Sequence, residues 1–196
     1  DMPAMAPQTA PTPASAPVQS DSICVKYTKA LFGDDTGDNE LALLTAVVNL
    51  AVLGDEELGV AGILAAEGGL APFFDGTAAT TNRGGSVGVS VNFLDGAAQL
   101  PNPDASSNTA ILLVHLYQFF GALLGCTAAG FPSFTGIPDM FEVHKFMGIT
   151  DDMNTFFITQ VGLACSGLGV TGVDASAVAA SLDAAFNTRC PPLVTA

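Results

Sequence analysis

The chain has 196 residues, which is enough for one domain with a sizeable hydrophobic core. Apolar residues make up 49% of it and charged residues only 12%, and 19 acidic side chains against 5 basic ones give a formal net charge of −14. Such a negative surface repels phosphate backbones and anionic lipid headgroups, so we expect no nucleic-acid partner and no anionic membrane surface. No run of the sequence reaches the roughly 20 apolar residues of a membrane-spanning helix, and we therefore expect no membrane span.

Residues 1–21 are rich in Pro, Ala, Thr and Ser and show no hydrophobic periodicity. This composition predicts an extended arm, either disordered or docked on a neighbouring copy in a homo-oligomer. The sequence begins with Asp1 rather than with Met, and its four cysteines are widely spaced, without a CxxC pair. An even number of separated cysteines favours two disulfide bonds and, together with the processed start, predicts a secreted protein.

The remaining chain, 22–196, is predicted to form one mostly helical domain. Apolar residues at helical spacing, preceded by capping residues and followed by glycine or proline, mark the helices. In chain order we predict a helix from Asp38 that stops at Gly54 and a helical piece over Glu56–Glu67. A long insert follows over about 75–109, with a strand-like stretch at 87–93 and a short hairpin. The remaining predicted helices are one over 108–124, a short one over about 138–147, one that begins at Thr150 or Asp151, and a last one capped by Asp174.

Motifs of the common catalytic classes are missing from the sequence. There is no GxSxG nucleophile elbow, no P-loop and no GxGxxG fingerprint after a strand. The carboxylates cluster in loops, where we interpret them as solvated helix caps. We therefore expect a binding or redox protein rather than an enzyme, with no catalytic residues.

The two histidines of the chain lie in apolar, aromatic surroundings. His144 is part of MFEVHKFMGIT (140–150), and His115 is part of LLVHLYQFF (112–120). A flat porphyrin needs two apolar walls, and an imidazole nitrogen is a suitable ligand for its iron. Two helices that each offer one imidazole from an aromatic face could hold a haem from both sides. Because there is no CxxCH motif, we expect non-covalent haem b.

These motifs and their order resemble the truncated globins, which fold as a two-over-two sandwich of helices around haem. The matching segments are SICVKYTKALFG (22–33), VLGDEEL (52–58), LAPFF (70–74), HLYQFFGALLG (115–125), FTG (134–136) and MFEVHKFMGIT (140–150). They cover most of 22–190, apart from the insert at about 75–109 and residues 59–69. The resemblance implies an all-α, globin-like sandwich with a short first helix over 22–33, an extended N-terminal arm and a long inserted loop.

The resemblance places His144 at the proximal iron ligand and His115 at a distal position that supplies the sixth ligand in some cyanobacterial and algal members. The distal tyrosine that commonly binds oxygen is replaced by Asn49, and the usual polar positions of the distal helix hold Leu112 and Leu116. The pocket would therefore be poor in hydrogen-bond donors for bound oxygen. A closed bis-histidyl iron, suited to electron transfer, is therefore implied. The side chains expected to enclose the cofactor are Phe74, Leu112, Leu116, Phe119, Phe120, Phe141, Met147 and Phe157.

The disulfide pairing implied by the same resemblance is Cys126–Cys190 at one end of the domain and Cys24–Cys165 at the other. Three functions follow from the sequence. The first is a secreted bis-histidyl haem protein in electron transfer, with a redox partner that the sequence does not identify. The second is an extracellular structural or filament subunit that keeps a globin fold without a redox role, and the third is a globin that handles oxygen or nitric oxide.

Overall fold

The computed structural model describes residues 20–80, 88–100 and 102–187, and it is mostly helical with one small antiparallel sheet. Residues 1–19 of the predicted arm lie outside this range. None of the described helices is long and apolar enough to cross a membrane. The elements are α1 (Ile23–Phe32), α2 (Gly37–Leu53), α3 (Pro72–Asp75), β1 (Gly76–Ala79), β2 (Ser90–Asn92), α4 (Asn108–Leu124), α5 (Met140–His144), α6 (Asp151–Gly167) and α7 (Gly172–Phe186), with 3-10 turns at Ala66–Gly68 and Ala97–Gln99.

The long helices begin and end at local capping signals. The Ser107 hydroxyl accepts a hydrogen bond from the first turn of α4, and Gly125 ends this helix in the left-handed conformation with φ 78°. Thr150 caps the start of α6 in the same way as Ser107. Such caps satisfy backbone groups that the helix itself leaves unpaired. The predicted limits of α4 and the predicted start of α6 are confirmed.

The helices pack as two contacting pairs. Helix α2 lies against α4, α6 lies against α7, and contacts between α2 and α6 join the two pairs. The short helix α1 packs on α2 and α4, and α5 contacts α7. The core between them is aliphatic, and its most deeply buried side chains include Leu44, Val48, Val161, Val178 and Leu182.

The prediction of a helix over Glu56–Glu67 is wrong. Asp55 and Val60 form an isolated antiparallel bridge, and the Asp55 carboxylate accepts a hydrogen bond from Leu58 N at 3.1 Å. Gly62 adopts φ 87°, and a Cβ there would collide with the backbone of Leu53. A helix cannot pass through such a conformation, since the left-handed region is favoured only by glycine. The segment is therefore a compact turn that folds back onto the end of α2.

The insert over 75–109 contains the predicted hairpin. Strands β1 and β2 are antiparallel, with Ala79 opposite Ser90. The insert is fastened to α4 by Asp95, whose carboxylate accepts hydrogen bonds from Asn108 N at 3.1 Å and Thr109 N at 3.0 Å. These backbone donors lower the pKa of Asp95. A carboxylate at a helix N-terminus is stabilised by the helix dipole, so the insert has a fixed position relative to α4.

Both predicted disulfide pairs are wrong, because Cys24 is bonded to Cys126, with Cα atoms 5.1 Å apart. The start of α1 lies against the end of α4, and the Ser22 hydroxyl donates to the Gly125 carbonyl at 2.7 Å. Cys165 is a buried free thiol, and burial raises its pKa to about 11. Cys190 lies outside the described residues.

The cap of α7 is Thr171 and not Asp174, contrary to the prediction. The Asp174 carboxylate instead accepts hydrogen bonds from Lys26 Nζ at 2.6 Å and from the Tyr27 hydroxyl at 2.7 Å. These two hydrogen bonds lower the pKa of Asp174 to about 2, and the bond from Lys26 has the larger effect. The contacts join α1 to α7 across the end of the domain.

Replacing Asp174 with Asn is expected to destabilise the fold near neutral pH and to reduce its acid sensitivity. Because the folded-state pKa of about 2 lies below the ordinary 3.8, the carboxylate stabilises the fold above the ordinary value and loses this effect as the pH falls towards 2. The difference in free energy of unfolding between wild type and Asp174→Asn should be constant at about pH 5–7 and shrink below about pH 4. Urea denaturation across this pH series measures the difference, with the exposed Asp152→Asn as control. A difference that persists undiminished at the acid end would contradict an ionic contact.

Candidate functional site

A cavity of about 530 Å³ lies between α2, α4, α5 and α6. Residues 70–74, the hairpin of the insert and Phe186 at the end of α7 complete its walls. Its size is within the roughly 300–1,000 Å³ that small-molecule and cofactor sites occupy. Exposed residues on its lining, among them His115, Gly148 and Thr150, show that the cavity reaches the protein surface.

All ten side chains that the sequence predicts for the site line this one cavity. They come from four separate parts of the chain: the turn before the insert, α4, the α5 region and α6. Their common position places both histidines beside the same volume. The ten are Phe74, Leu112, His115, Leu116, Phe119, Phe120, Phe141, His144, Met147 and Phe157.

His144, the last residue of α5, presents a neutral imidazole to the cavity. Its Nδ1 lies 2.8 Å from the Met140 carbonyl oxygen. Because a carbonyl can only accept, Nδ1 carries the hydrogen and Nε2 keeps its lone pair. Burial lowers the pKa of His144, and the hydrogen bond to Met140 only partly opposes this. Metal-bound histidines typically have this arrangement, in which one ring nitrogen donates to a carbonyl and the other is available for the metal.

His115 lies on the exposed rim of the cavity. Its ring stacks on Phe134, with centroids 5.0 Å apart and planes inclined by 19°. Gly136 lies so close that a Cβ at this position would collide with His115 Nε2 and with the Phe134 ring. The glycine is therefore needed for close approach of the backbone to the imidazole, and the segment carrying Phe134 sets the orientation of His115.

A continuous series of aromatic contacts runs along the cavity between the two histidines. Phe134, which stacks on His115, makes an edge contact with Phe119 at 5.6 Å between centroids. Phe119 in turn contacts Phe186 at 5.8 Å, and Phe186 lies 5.5 Å from the His144 ring. These rings form a rigid apolar wall, since aromatic side chains prefer such edge and offset packing.

Sequence reasoning missed several residues of this wall. The sequence analysis places Phe134 only within the FTG motif and does not assign Phe186 to the site, although both contact a histidine ring. Thr80 and Phe93, from the two arms of the hairpin, also line the cavity. Nothing in the local sequence marks these positions, because their roles depend on the packing of distant segments.

Asn49, expected at the position of the distal tyrosine, is not among the cavity residues. Its side-chain oxygen accepts a hydrogen bond from the Tyr117 hydroxyl at 3.3 Å. Helix α2 instead presents aliphatic side chains to the cavity, namely Val47, Val48, Ala51 and Val52. This wall therefore offers no hydrogen-bond donor to a ligand.

A second group of ligand-type side chains has a structural explanation. Cys24, Glu40 and Cys126 lie with their ligand atoms within 4.8 Å of one another among the described residues. The two cysteines are bonded to each other, however, and the buried Glu40 carboxylate accepts hydrogen bonds from Thr127 N at 2.9 Å and Ala128 N at 3.1 Å. Burial raises the pKa of Glu40. The group holds the loop after α4 against α2, which leaves the large cavity as the candidate functional site.

Comparisons of the chain with protein-family models, with curated proteins and with solved structures find no match. Its function is therefore inferred from the geometry and chemistry of the cavity.

Proposed function

We propose that this protein binds haem b non-covalently in the cavity, where His144 and His115 would hold the iron. The observation that carries the proposal is the placement of His144, whose imidazole is anchored at Nδ1 by the Met140 carbonyl and lines a large apolar cavity. A lone buried histidine is commonly a core residue. His144 also lines a volume of cofactor size.

The residues of the cavity fit a flat apolar cofactor. Its walls are formed by aromatic rings and branched aliphatic side chains from several helices. A binding site for a polar ligand would instead present several buried hydrogen-bond donors and acceptors. The available imidazole nitrogen supplies the kind of ligand that haem iron uses in many proteins.

The packing of the helices supports a globin-like two-over-two sandwich as the finer description of the fold. The α2–α4 pair contacts the α6–α7 pair through α2 and α6. Helix α5, which ends at His144, leads into the second pair and contacts α7. The insert adds a hairpin wall to this arrangement, as the contacts of α4 with β2 indicate.

The composition of the pocket favours electron transfer over oxygen carriage. Haem iron with two imidazole ligands exchanges single electrons without a change of ligand. The aliphatic wall of α2 gives no donor for bound oxygen, whereas the hydrogen bond to Met140 orients His144. The Cys24–Cys126 disulfide supports an extracellular location for this activity.

Titration of the haem-free protein with haemin tests the proposal. We expect a change in absorbance that saturates at one haemin per chain. The spectrum of the bound haem should be that of low-spin iron. A Val173→Ala variant is a matched control, because Val173 is exposed on α7 and does not line the cavity. If haemin shows no saturable binding, the proposal is wrong.

Replacing His115 with Ala is expected to leave the iron five-coordinate and open to external ligands. The variant should keep haem through His144 and bind carbon monoxide rapidly, whereas the wild type must first release His115. Stopped-flow mixing with carbon monoxide measures both rates. If the variant retains the low-spin spectrum and the slow reaction of the wild type, His115 is not the sixth ligand.

A further inference from the structure

The polar residues of the cavity are concentrated at one end. Apart from the two histidines, most of them belong to the segment from the end of α5 to the first turn of α6. The other walls are almost entirely apolar. The polar residues of this segment that line the cavity are Lys145, Thr150, Asp151 and Asn154. The cavity thus suits a ligand with an apolar body and a polar group at this end.

Lys145 is the cation that the described part of the chain brings to the cavity. The other described lysines lie on α1, where Lys26 is bound to Asp174 and Lys29 to Asp21. The Lys145 side chain is also the least exposed of the three, at 23% against 51% for Lys26 and 47% for Lys29. Lys145 is thus the least exposed of the described lysines and lies beside the apolar cavity.

The ammonium group of Lys145 can bind a ligand while it keeps its present contact. Its Nζ lies 2.7 Å from Glu142 Oε2 and 5.4 Å from the centre of the Phe146 ring. An ammonium group has three donors, and the hydrogen bond to Glu142 uses one of them. Removal of the lysine should therefore be especially costly for a negatively charged ligand.

We propose that Lys145 binds a carboxylate of the cavity ligand and so fixes which edge of the ligand lies at the junction of α5 and α6. This inference rests on the proposed haem function and deepens it, since haem b carries two carboxylates on one edge. The Lys145 ammonium group selects acidic porphyrins over neutral ones. The neighbouring His144 then meets a ligand that has entered in one orientation.

Metal-free protoporphyrin IX and its dimethyl ester test this inference without the use of iron. Fluorescence titration compares the wild type, Lys145→Ala and the control Lys29→Ala, whose lysine lies on α1. Loss of a charge-assisted contact should weaken binding of the free acid by Lys145→Ala about tenfold or more and leave binding of the ester unchanged. Lys29→Ala should bind both porphyrins as the wild type does.

The outcomes distinguish this inference from the proposed function. An equal loss for acid and ester, or no loss for either, would overturn the role of Lys145 while a normal haemin titration keeps the haem function intact. If the wild type binds neither porphyrin and no haemin, the haem function itself fails, and the role of Lys145 with it.

Discussion

Replacing His144 with Gly is expected to abolish specific ligation of haem iron. His144 is half-buried on the cavity wall, and no second described histidine has the same hydrogen bond to a backbone carbonyl. Changes to groups that merely orient a metal ligand typically weaken metal binding about 10–100-fold, so loss of the ligand itself should cost at least about 100-fold. Haemin titration followed at the main absorption band measures the loss.

Exogenous imidazole separates a lost ligand from a damaged fold. Added to His144→Gly, imidazole can occupy the space of the missing side chain and should restore the low-spin spectrum. The His115→Ala variant is the matched control, since it removes the exposed histidine and should still bind haem. Full haemin affinity in His144→Gly without imidazole would contradict the assignment of His144.

Removal of the Cys24–Cys126 disulfide is expected to cause the largest loss of stability. The bond joins cysteines 102 residues apart in the sequence. Closing a loop of this length restricts the unfolded chain by about 4–5 kcal/mol. Guanidinium denaturation of the double variant Cys24→Ser/Cys126→Ser should show a decrease of this size in the free energy of unfolding.

Two observations check that this loss belongs to the disulfide. Cys165→Ala removes a buried thiol that is not in the bond, and it should cost much less than the double variant. Peptide mapping without reductant should recover the fragments of Cys24 and Cys126 joined to each other. Recovery of Cys126 joined to Cys190 would contradict the structure, as would an unchanged stability of the double variant.

Some helix limits followed from the sequence, those of α4 among them, whereas the cap of α7 did not. Ser107 and Gly125 enclose α4 because a hydroxyl cap and a left-handed glycine act on adjacent backbone groups. The segment over 56–67 has helix-forming residues at several positions. The segment nevertheless forms glycine turns and the Asp55–Val60 bridge, because these let the chain fold back onto α2.

The disulfide could not be derived from cysteine spacing. Cys24 and Cys126 meet because the start of α1 docks at the end of α4, where Ser22 bonds to Gly125. That contact joins segments about half the chain apart. The resemblance to the truncated globins therefore implied the wrong pairs of cysteines.

The site was more predictable on its helices than in its loops. Aromatic residues beside His115 and His144 sit at helical spacing, and this spacing places them on the cavity side. Thr80 and Phe93 come from the hairpin, whose position depends on hydrogen bonds such as those of Asp95 to α4. Because those bonds join separate segments of the chain, no local sequence pattern predicts them.

The absorption spectrum of the reduced protein, saturated with haemin, tests the central claim most directly. A bis-histidyl iron held by His144 and His115 should give sharp, split visible bands typical of six-coordinate low-spin haem. Carbon monoxide should alter them only slowly. A broad single visible band that changes at once with carbon monoxide would contradict ligation by both histidines, and the spectrum of free haem would contradict the site altogether.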